Sequence, residues 1–336
     1  MLVFAFFAAG ASIFHWVSQV SNTDASLRGL HAVSPQVVWA SGTHGTYLLT
    51  TDAGAHWKAA TVAGAETLDF RDVEAFDSNA AFLLASGEGA ASRLYKTADG
   101  GQHWTLLFTN PDEKGFFDAL AFWDRAHGII LGDPVKGSFA IFTTGDGGVT
   151  WQRQQTAAAL PDEGAFAASG TCLVVKGARE AWFATGGPGA GRVFRSVDGG
   201  KTWSVAPTPL SGESKSAGIF SLAFANSKHG IAVGGDYQKP RESARTAAVT
   251  DDGGKTWRAP RGGGLTGYRS GVVFMLRNTE IAVGTGGTDV STDGGDSWRS
   301  VSESSFNAVA SAGGTVWAVG PKGAIARLRI SSKEKE

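Results

Sequence analysis

The sequence has a single cysteine, Cys172, among its 336 residues, so neither an internal disulfide nor a cysteine-based metal site can form. Charged residues make up only 18% of the chain, and 30 basic against 31 acidic side chains give a formal net charge of −1. No basic stripe is present, and we therefore expect no nucleic-acid partner. The sequence also lacks a G-x-S-x-G elbow, an H-E-x-x-H helix and a P-loop, so we expect no cofactor and no metal.

Long apolar runs are also missing, and no segment is long enough to cross a bilayer as a helix. The longest such run, MLVFAFFAAGA at residues 1–11, resembles the apolar core of a secretory signal with Ala9-Gly10-Ala11 as an A-x-A cleavage site. This pattern predicts a periplasmic or extracellular protein. The basic n-region of a signal is absent, however, and a buried first strand is the alternative interpretation.

What the sequence has in abundance is glycine and aromatic residues, with 47 Gly, 20 Phe and 11 Trp. This composition is typical of a turn-rich all-β protein. One octapeptide recurs six times. Its copies are TTDAGAHW at Thr50–Trp57, TADGGQHW at Thr97–Trp104, TGDGGVTW at Thr144–Trp151, SVDGGKTW at Ser196–Trp203, TDDGGKTW at Thr250–Trp257 and STDGGDSW at Ser291–Trp298.

The spacing of the repeat predicts the fold. Its aspartates fall 41 to 54 residues apart, which is the length of one four-stranded propeller blade. Asp followed by Gly is a strong turn signal, and the carboxylate and the Ser/Thr hydroxyl can both bond to backbone groups of the turn. The motif resembles the Asp-box, or BNR, repeat of sialidase-like propellers, which lies at the blade periphery. The resemblance implies structural roles for Asp52, Asp99, Asp146, Asp198, Asp252, Asp293, Trp57, Trp104, Trp151, Trp203, Trp257 and Trp298.

A seventh repeat unit lacks the octapeptide and is split between the two ends of the chain. The C-terminal part supplies three strands, and the segment SIFHWVSQV at 12–20 matches the missing fourth, because its His15-Trp16 corresponds to His-Trp pairs that open other fourth strands. We therefore predict an all-β, seven-bladed β-propeller over residues 12–330, closed by the N-terminal strand, with a polar tail at 331–336.

Candidate site residues follow from the predicted blade register. The first position of the inner strands, which should face the axis, is assigned to Arg28, Arg71, Asp118, Phe220, Arg269 and Asn307. Blade four leaves Phe166 and Ala167 as alternatives. Arginines converging on an axis can bind a carboxylate or phosphate. The alternative is a salt-bridged network of Arg28, Arg71 and Asp118 that plugs the channel.

Loop carboxylates suggest a second possibility. Connections between the second and third strands bring Asp133, Asp236, Tyr237 and Lys239 to the same face, and another loop brings Glu163. Glu163 with Asp133 or Asp236 could act as an acid/base pair, although turn carboxylates are the simpler interpretation.

Several segments outside the octapeptides resemble one bacterial and plastid family. They are GDP at 132–134, DEGAFAASGT at 162–171, SAGIFSLAF at 216–224, VGGDYQKP at 233–240, GYRSG at 267–271 and FNAV at 306–309. Together they are similar to the photosystem II assembly and stability factor-like propellers, whose bacterial members are often labelled oxidoreductase or glycosidase-like. The resemblance implies a non-enzymatic scaffold that binds a protein partner at the axial face.

A glycoside hydrolase is the rival interpretation, with an anionic or carbohydrate ligand at that same face. Sialidases share the octapeptide and use an arginine triad with a tyrosine nucleophile, which Arg28, Arg71 and Arg269 with Tyr237 or Tyr268 could mimic. The Arg-Ile-Pro tripeptide typical of sialidases is absent. The oxidoreductase label has no support in the sequence, because it contains no dinucleotide or flavin motif.

Overall fold

The computed structural model describes residues 12–154, 158–189 and 191–332. Apart from one turn of 3-10 helix at Gly89–Ala91, the regular structure of these residues is all β, and the strands form seven antiparallel sheets arranged as the blades of a propeller. The predicted fold class is therefore confirmed. None of the described helical structure is long and apolar enough to span a membrane. The predicted export signal at 1–11 and most of the polar tail lie outside the described residues.

The first three blades are regular four-stranded meanders. Their strands, from the axis outward, are β2 Leu27–Ala32, β3 Val38–Gly42, β4 Thr46–Thr50 and β5 Lys58–Thr61 in blade one; β6 Phe70–Ala75, β7 Ala81–Ala85, β8 Arg93–Thr97 and β9 Thr105–Thr109 in blade two; and β10 Phe117–Phe122, β11 Gly128–Val135, β12 Ser138–Thr144 and β13 Gln152–Arg153 in blade three.

The remaining blades keep the same order. Their strands are β14 Leu173–Lys176, β15 Glu180–Ala184, β16 Arg192–Ser196 and β17 Ser204–Pro207 in blade four; β18 Ala217–Phe224, β19 Gly230–Asp236 and β20 Ala247–Thr250 in blade five; β21 Gly271–Leu276, β22 Thr279–Gly284, β23 Gly287–Ser291 and β24 Arg299–Ser302 in blade six; and β25 Ala308–Ala312, β26 Thr315–Val319, β27 Ile325–Ser332 and β1 Ser12–Gln19 in blade seven.

Blade five departs from the four-strand pattern. Its fourth strand is reduced to a single bridge, in which Arg258 and Val249 exchange two backbone hydrogen bonds. Pro260 follows two residues later, and a proline has no N–H to donate to a longer ladder.

The N-terminal strand closes the ring as predicted. Strand β1 pairs with β27 along its whole length, from Ser12 opposite Ser332 to Gln19 opposite Ile325. Phe14 and Trp16 point into the layer between blades six and seven, and the Trp16 indole donates a 3.0 Å hydrogen bond to Thr288 Oγ1 of blade six. The first and last strands of the chain therefore lie in the same sheet, so the ring has no break between its first and seventh blades.

The hydrophobic core is a ring of layers between neighbouring blades. In one layer, Phe82 and Leu84 of blade two pack against Leu120 and Phe122 of blade three. The second strand of each blade is buried on both faces, so its sequence reads as a continuous apolar run such as AFLLA in β7. Each blade therefore depends on both neighbours for burial of its sheet.

The octapeptides form closed hydrogen-bonded turns on the outer rim. In the first, Thr50 Oγ1 accepts the N–H of Gly54 at 2.9 Å, and Asp52 accepts the N–H of His56 at 2.9 Å. The corresponding bonds are present in the other five copies. Hydrogen bonds from the backbone and side chain of His56 lower the pKa of Asp52 to about 2. Each aspartate is thus engaged within its own turn.

Candidate functional site

A bulge in the inner strand aims one side chain at the axis in four of the blades. The pairing register shifts at Arg28 in blade one, Arg71 in blade two, Asp118 in blade three and Phe220 in blade five. A bulged residue is left out of the ladder, which turns its side chain away from the normal alternation. All four side chains line one cavity at the axis.

This axial cavity has a volume of about 430 Å³. Its lining combines charged, aromatic and small polar side chains from six blades and the loop before blade four. The residues are Arg28, Arg71, Phe116, Asp118, Asp133, Ala165, Phe166, Ala167, Ala168, Phe220, Tyr237, Tyr268, Ser270, Thr285 and Asn307. The volume lies within the range of small-molecule and side-chain binding pockets.

The arginine side of the axial cavity holds more positive than negative charge. Arg71 Nε donates a 2.7 Å hydrogen bond to Asp69 Oδ2, and Arg28 Nε lies 4.0 Å from the same oxygen. Both guanidinium groups therefore share one carboxylate. Burial, and secondarily the charge of Arg71, lowers the pKa of Arg28. Arg28 Nε is buried and has no hydrogen-bond partner among the described residues.

The acidic side of the axial cavity lies on blade three. Asp118 is buried, and its Oδ2 has no hydrogen-bond partner within the described part of the chain. Burial, together with the neighbouring Asp133, raises the pKa of Asp118 well above its usual value, while Arg71 opposes the shift. Burial likewise raises the pKa of Asp133 to about 6, although the N–H of Ala165 donates to its Oδ1 at 3.0 Å.

The floor of the axial cavity is the segment 165–171, which crosses the axis before β14 begins. Ser169 Oγ donates a 2.7 Å hydrogen bond to the carbonyl of Ser270 in blade six. Gly170, at φ +75°, fits against the carboxylate of Asp72 in blade two, where a Cβ would lie 2.2 Å from an oxygen. This crossing explains why the sequence left two residues as alternatives for blade four: Phe166 and Ala167 both line the cavity from a loop.

Aromatic rings form another part of the cavity wall. Phe166 stacks on Phe220 with ring centroids 3.9 Å apart, and Tyr268 meets Phe220 edge-on at 4.8 Å. Tyr237 contributes the outer edge and is 48% exposed. The wall can bury an apolar or aromatic group of a ligand.

Arg269 is not part of the axial cavity, and its predicted axial placement is wrong by one residue. In blade five the axial residue, Phe220, directly precedes Ser221, which pairs with Val233. The equivalent pair in blade six is Gly271 with Val283, so the residue before it, Ser270, occupies the axial position. Arg269 is fully buried between blades, where its Nη2 lies 2.7 Å from Asp289 Oδ2. Side chains alternate faces along a strand, and a slip of one residue therefore moves a side chain from the axis to the interior.

The predicted plug of Arg28, Arg71 and Asp118 also differs from the structure. Asp69, which sequence analysis missed, is the carboxylate that pairs with the arginines, and Asp118 forms no ion pair with a described residue. Asp69 directly precedes strand β6, so the alignment of inner-strand positions did not include it.

The loop carboxylates lie in separate environments. Glu163 accepts from Arg192, from Thr185 Oγ1 at 2.6 Å and from the N–H of Leu160, and its side chain is fully buried. Asp236 accepts the N–H of Gln238 at 2.9 Å, and neither carboxylate lines the axial cavity.

Two further predicted residues have different surroundings from those expected. Lys239 is exposed and pairs with Glu242 at 3.5 Å, outside the axial cavity. Asp133 is the one acid/base candidate that lines the cavity, and its carboxyl neighbour there is Asp118. No cluster of three or more metal-ligating side chains occurs in the described segments.

Solved structures with a similar fold exist, although sequence comparison finds no match. No family model and no curated protein matches the sequence. Among solved structures, the chain is similar to YCF48 bound to D1 peptide, with 18% identity and a TM-score of 0.66 over 94% of this chain and 96% of that one. YCF48 from Cyanidioschyzon merolae is similar at 18% identity and a TM-score of 0.64, covering 93% and 98%. The Niastella koreensis GH74 enzyme shares 15% identity at a TM-score of 0.62, over 93% of this chain and 53% of that one.

Proposed function

We propose that this protein is a non-enzymatic scaffold of the photosystem II assembly factor-like kind, which binds an acidic segment of a protein partner in the axial cavity. The observation that carries the proposal is the pair of guanidinium groups, Arg28 and Arg71, that share the single carboxylate of Asp69. The unfilled hydrogen-bonding capacity of Arg28 Nε adds to it. A carboxylate is the group that such a pair binds best, through charge-assisted hydrogen bonds.

Two further features support a peptide as the ligand. The aromatic wall of Phe166, Phe220 and Tyr268 lies in the same cavity and would bury an apolar side chain next to the acidic one. One solved propeller of similar fold, YCF48, is bound to D1 peptide. A floor fixed by hydrogen bonds across the axis makes the cavity a preformed site, which reduces the entropy cost of binding.

A binding measurement tests this proposal. The probe is the blocked peptide acetyl-Phe-Glu-Gly-amide, compared with its Gln analogue by isothermal titration calorimetry. We expect the Glu peptide to bind more tightly, and Arg71→Ala to cost about 2–5 kcal/mol of its binding free energy. The matched variant is Arg269→Ala, which removes no side chain that lines the axial cavity but strands the buried Asp289, so the melting temperature should fall while binding is retained. Equal binding of both peptides contradicts the proposal.

Glycoside hydrolysis is the second candidate, because Asp118 and Asp133 are neighbouring carboxyl groups beside an aromatic wall. Three observations disfavour the sialidase-like form of this chemistry. Arg269 is missing from the cavity, so no arginine triad forms, and Glu163 is saturated by Arg192 and Thr185. Burial raises the pKa of Tyr268, which keeps its phenol protonated. Turnover of an aryl glycoside or a glucan that is lost in Asp133→Asn would favour the enzyme.

We also propose that the protein acts outside the cytoplasm. The apolar run at 1–11 and its A-x-A sequence support this proposal. The N-terminal sequence of native material tests it directly.

A further inference from the structure

The axial cavity carries charge of both signs in separate places. The guanidinium groups come from blades one and two, whereas Asp118 and Asp133 come from neighbouring strands β10 and β11 of blade three. An acidic ligand group explains the arginines, but it leaves the two carboxyl groups unexplained. A binding site that served only an anion would gain nothing from carboxylates in its wall, since like charges repel.

Asp118 is the less satisfied of the two. It is 1% exposed, lines the axial cavity and leaves Oδ2 without a hydrogen-bond partner among the described residues. A buried polar atom without a partner costs free energy, so a site that keeps one is explained best by a ligand group that completes it.

The charged groups around this carboxyl pair come from several elements. Asp133 also lines a second cavity with Lys114 and Lys215, and Lys215 pairs there with Asp162 at 2.9 Å. Arg71 on β6 is the positive charge that acts on Asp118, but it is engaged by Asp69. The thiol of Cys172, before β14, is buried and neutral, and the carboxyl of Asp72 accepts the N–H of Leu120. None of these groups donates to Asp118 Oδ2.

We infer that Asp118 and Asp133 form a second subsite of the axial cavity that binds an organic cation, the ammonium of a lysine or the guanidinium of an arginine in the bound segment. The inference rests on the proposed function, because Arg28 and Arg71 hold the acidic group of that same segment. The ligand is thus a segment in which an acidic and a basic residue are close in sequence. A cation supplies the missing hydrogen-bond donor for Asp118 Oδ2 and also favours the charged form of both carboxyl groups.

The neighbouring rings favour an organic cation. Phe116 and Phe166 both line the axial cavity, and the Phe116 ring already has a cation, the Arg71 guanidinium, 5.8 Å from its centroid. The Phe166 ring can attract an ammonium or guanidinium group of the ligand. In the described segments no third carboxylate, histidine or thiolate completes a metal-ligand set with the pair.

The test uses three blocked peptides with the full-length protein: acetyl-Phe-Glu-Lys-amide, acetyl-Phe-Glu-norleucine-amide and acetyl-Phe-Gln-Lys-amide. Norleucine keeps the four-carbon chain of lysine and lacks its ammonium group. At pH 8 we expect the Lys peptide to bind at least 10-fold more tightly than the norleucine peptide. In Asp118→Asn the ratio of the two affinities should fall to about one. An arginine peptide distinguishes guanidinium from ammonium. Asp124→Asn, in the exposed turn that follows β10, is the matched control and should leave the ratio of the two affinities unchanged.

The pH dependence separates the two subsites. The Lys-to-norleucine ratio should decrease towards one as the pH falls from 8 to 5, because the carboxyl groups become protonated, Asp133 at about 6. Calorimetry in two buffers of different ionisation enthalpy should show proton release on binding of the Lys peptide only.

The outcomes are distinguishable. If the Glu peptides bind but lysine and norleucine are equivalent at pH 8, the cation subsite is refuted and the proposed function stands. If the Gln-Lys peptide binds as tightly as the Glu-Lys peptide, and Arg71→Ala changes the affinity of neither peptide, the proposed function fails while the cation subsite survives. Because Asp118→Asn could alter the fold, Asp133→Asn provides the independent second variant, and a ratio unchanged in both overturns the inference.

Discussion

Closure of the ring by the N-terminal strand can be tested with two neighbouring residues of β1. Phe14 is 6% exposed and packs among Val316, Leu328 and Phe306 in the layer between blades six and seven. Ile13, on the other face of the same strand, is 41% exposed. Because both residues pair with β27, substitution of either to Ala keeps the backbone ladder and changes only the packing.

The expected difference is large. Truncation of a buried Phe to Ala costs about 3–5 kcal/mol, from lost burial and the cavity left behind. Ile13→Ala should cost less than about 1 kcal/mol, as for other exposed positions. An unfolding entropy of about 2.1 cal/mol/K per residue corresponds to about 1.4 °C per kcal/mol for a chain of this length. Phe14→Ala should therefore lower the melting temperature by about 4–7 °C, and Ile13→Ala by no more than about 1.5 °C.

Circular dichroism and tryptophan fluorescence during heating measure both variants. Amide hydrogen exchange of β27 should accelerate in Phe14→Ala, because weaker packing lets β1 detach more often and expose the outer edge of β27. A Phe14→Ala protein that melts within about 2 °C of the original, with unchanged exchange in β27, would refute the view that β1 holds the ring closed.

Three further predictions concern the rim, a buried carboxyl group and the N-terminus. Ala53, at φ +61°, stands where the other five turns have glycine, so Ala53→Gly should stabilise the protein by about 0.5–1 kcal/mol, whereas Ala55→Gly in the same turn should not. Burial raises the pKa of Glu280 to about 7. The carboxyl of Glu280 therefore stabilises the folded protein fully below its unfolded pKa near 4.5, and this stabilisation is lost as the pH rises through 7. Glu280→Gln should consequently make the melting temperature less dependent on pH between pH 5 and 8. A variant whose melting temperature changes with pH as steeply as that of the original protein contradicts the raised pKa of Glu280. Edman sequencing of native material should give an N-terminus near Ser12, and an intact Met1 in the cytosolic fraction excludes export.

The repeats explain how much of the fold could be predicted. Thr50–Trp57 and its five counterparts mark the same point of each blade, so their spacing predicts the number of blades. His15-Trp16 identified the closing strand by the same logic, and the pairing of β1 with β27 confirms it. The short fourth strand of blade five was missed, because its cause is a proline after the strand rather than a change in the repeat.

The candidate site could be predicted only in part, and the misplaced arginine of the inner strands results from an alignment error. Arg28, Arg71 and Asp118 line the axial cavity, while Arg269, one residue away from the axial position, is buried beside Asp289. Side chains in a strand alternate faces, so an alignment error of one residue reverses the environment of a side chain.

The sequence by itself determined the four-stranded blade, the number of blades and the strand that closes the ring. Each of these is marked by a local pattern of turn residues and alternating hydrophobic residues. Only the tertiary structure decided which charges meet at the axis. Asp69 beside two arginines, and Ser169 bonded to Ser270 across the channel, join residues of different blades. Such contacts depend on the bulges and on the path of the segment 165–171, and neither is encoded in the period of the repeat.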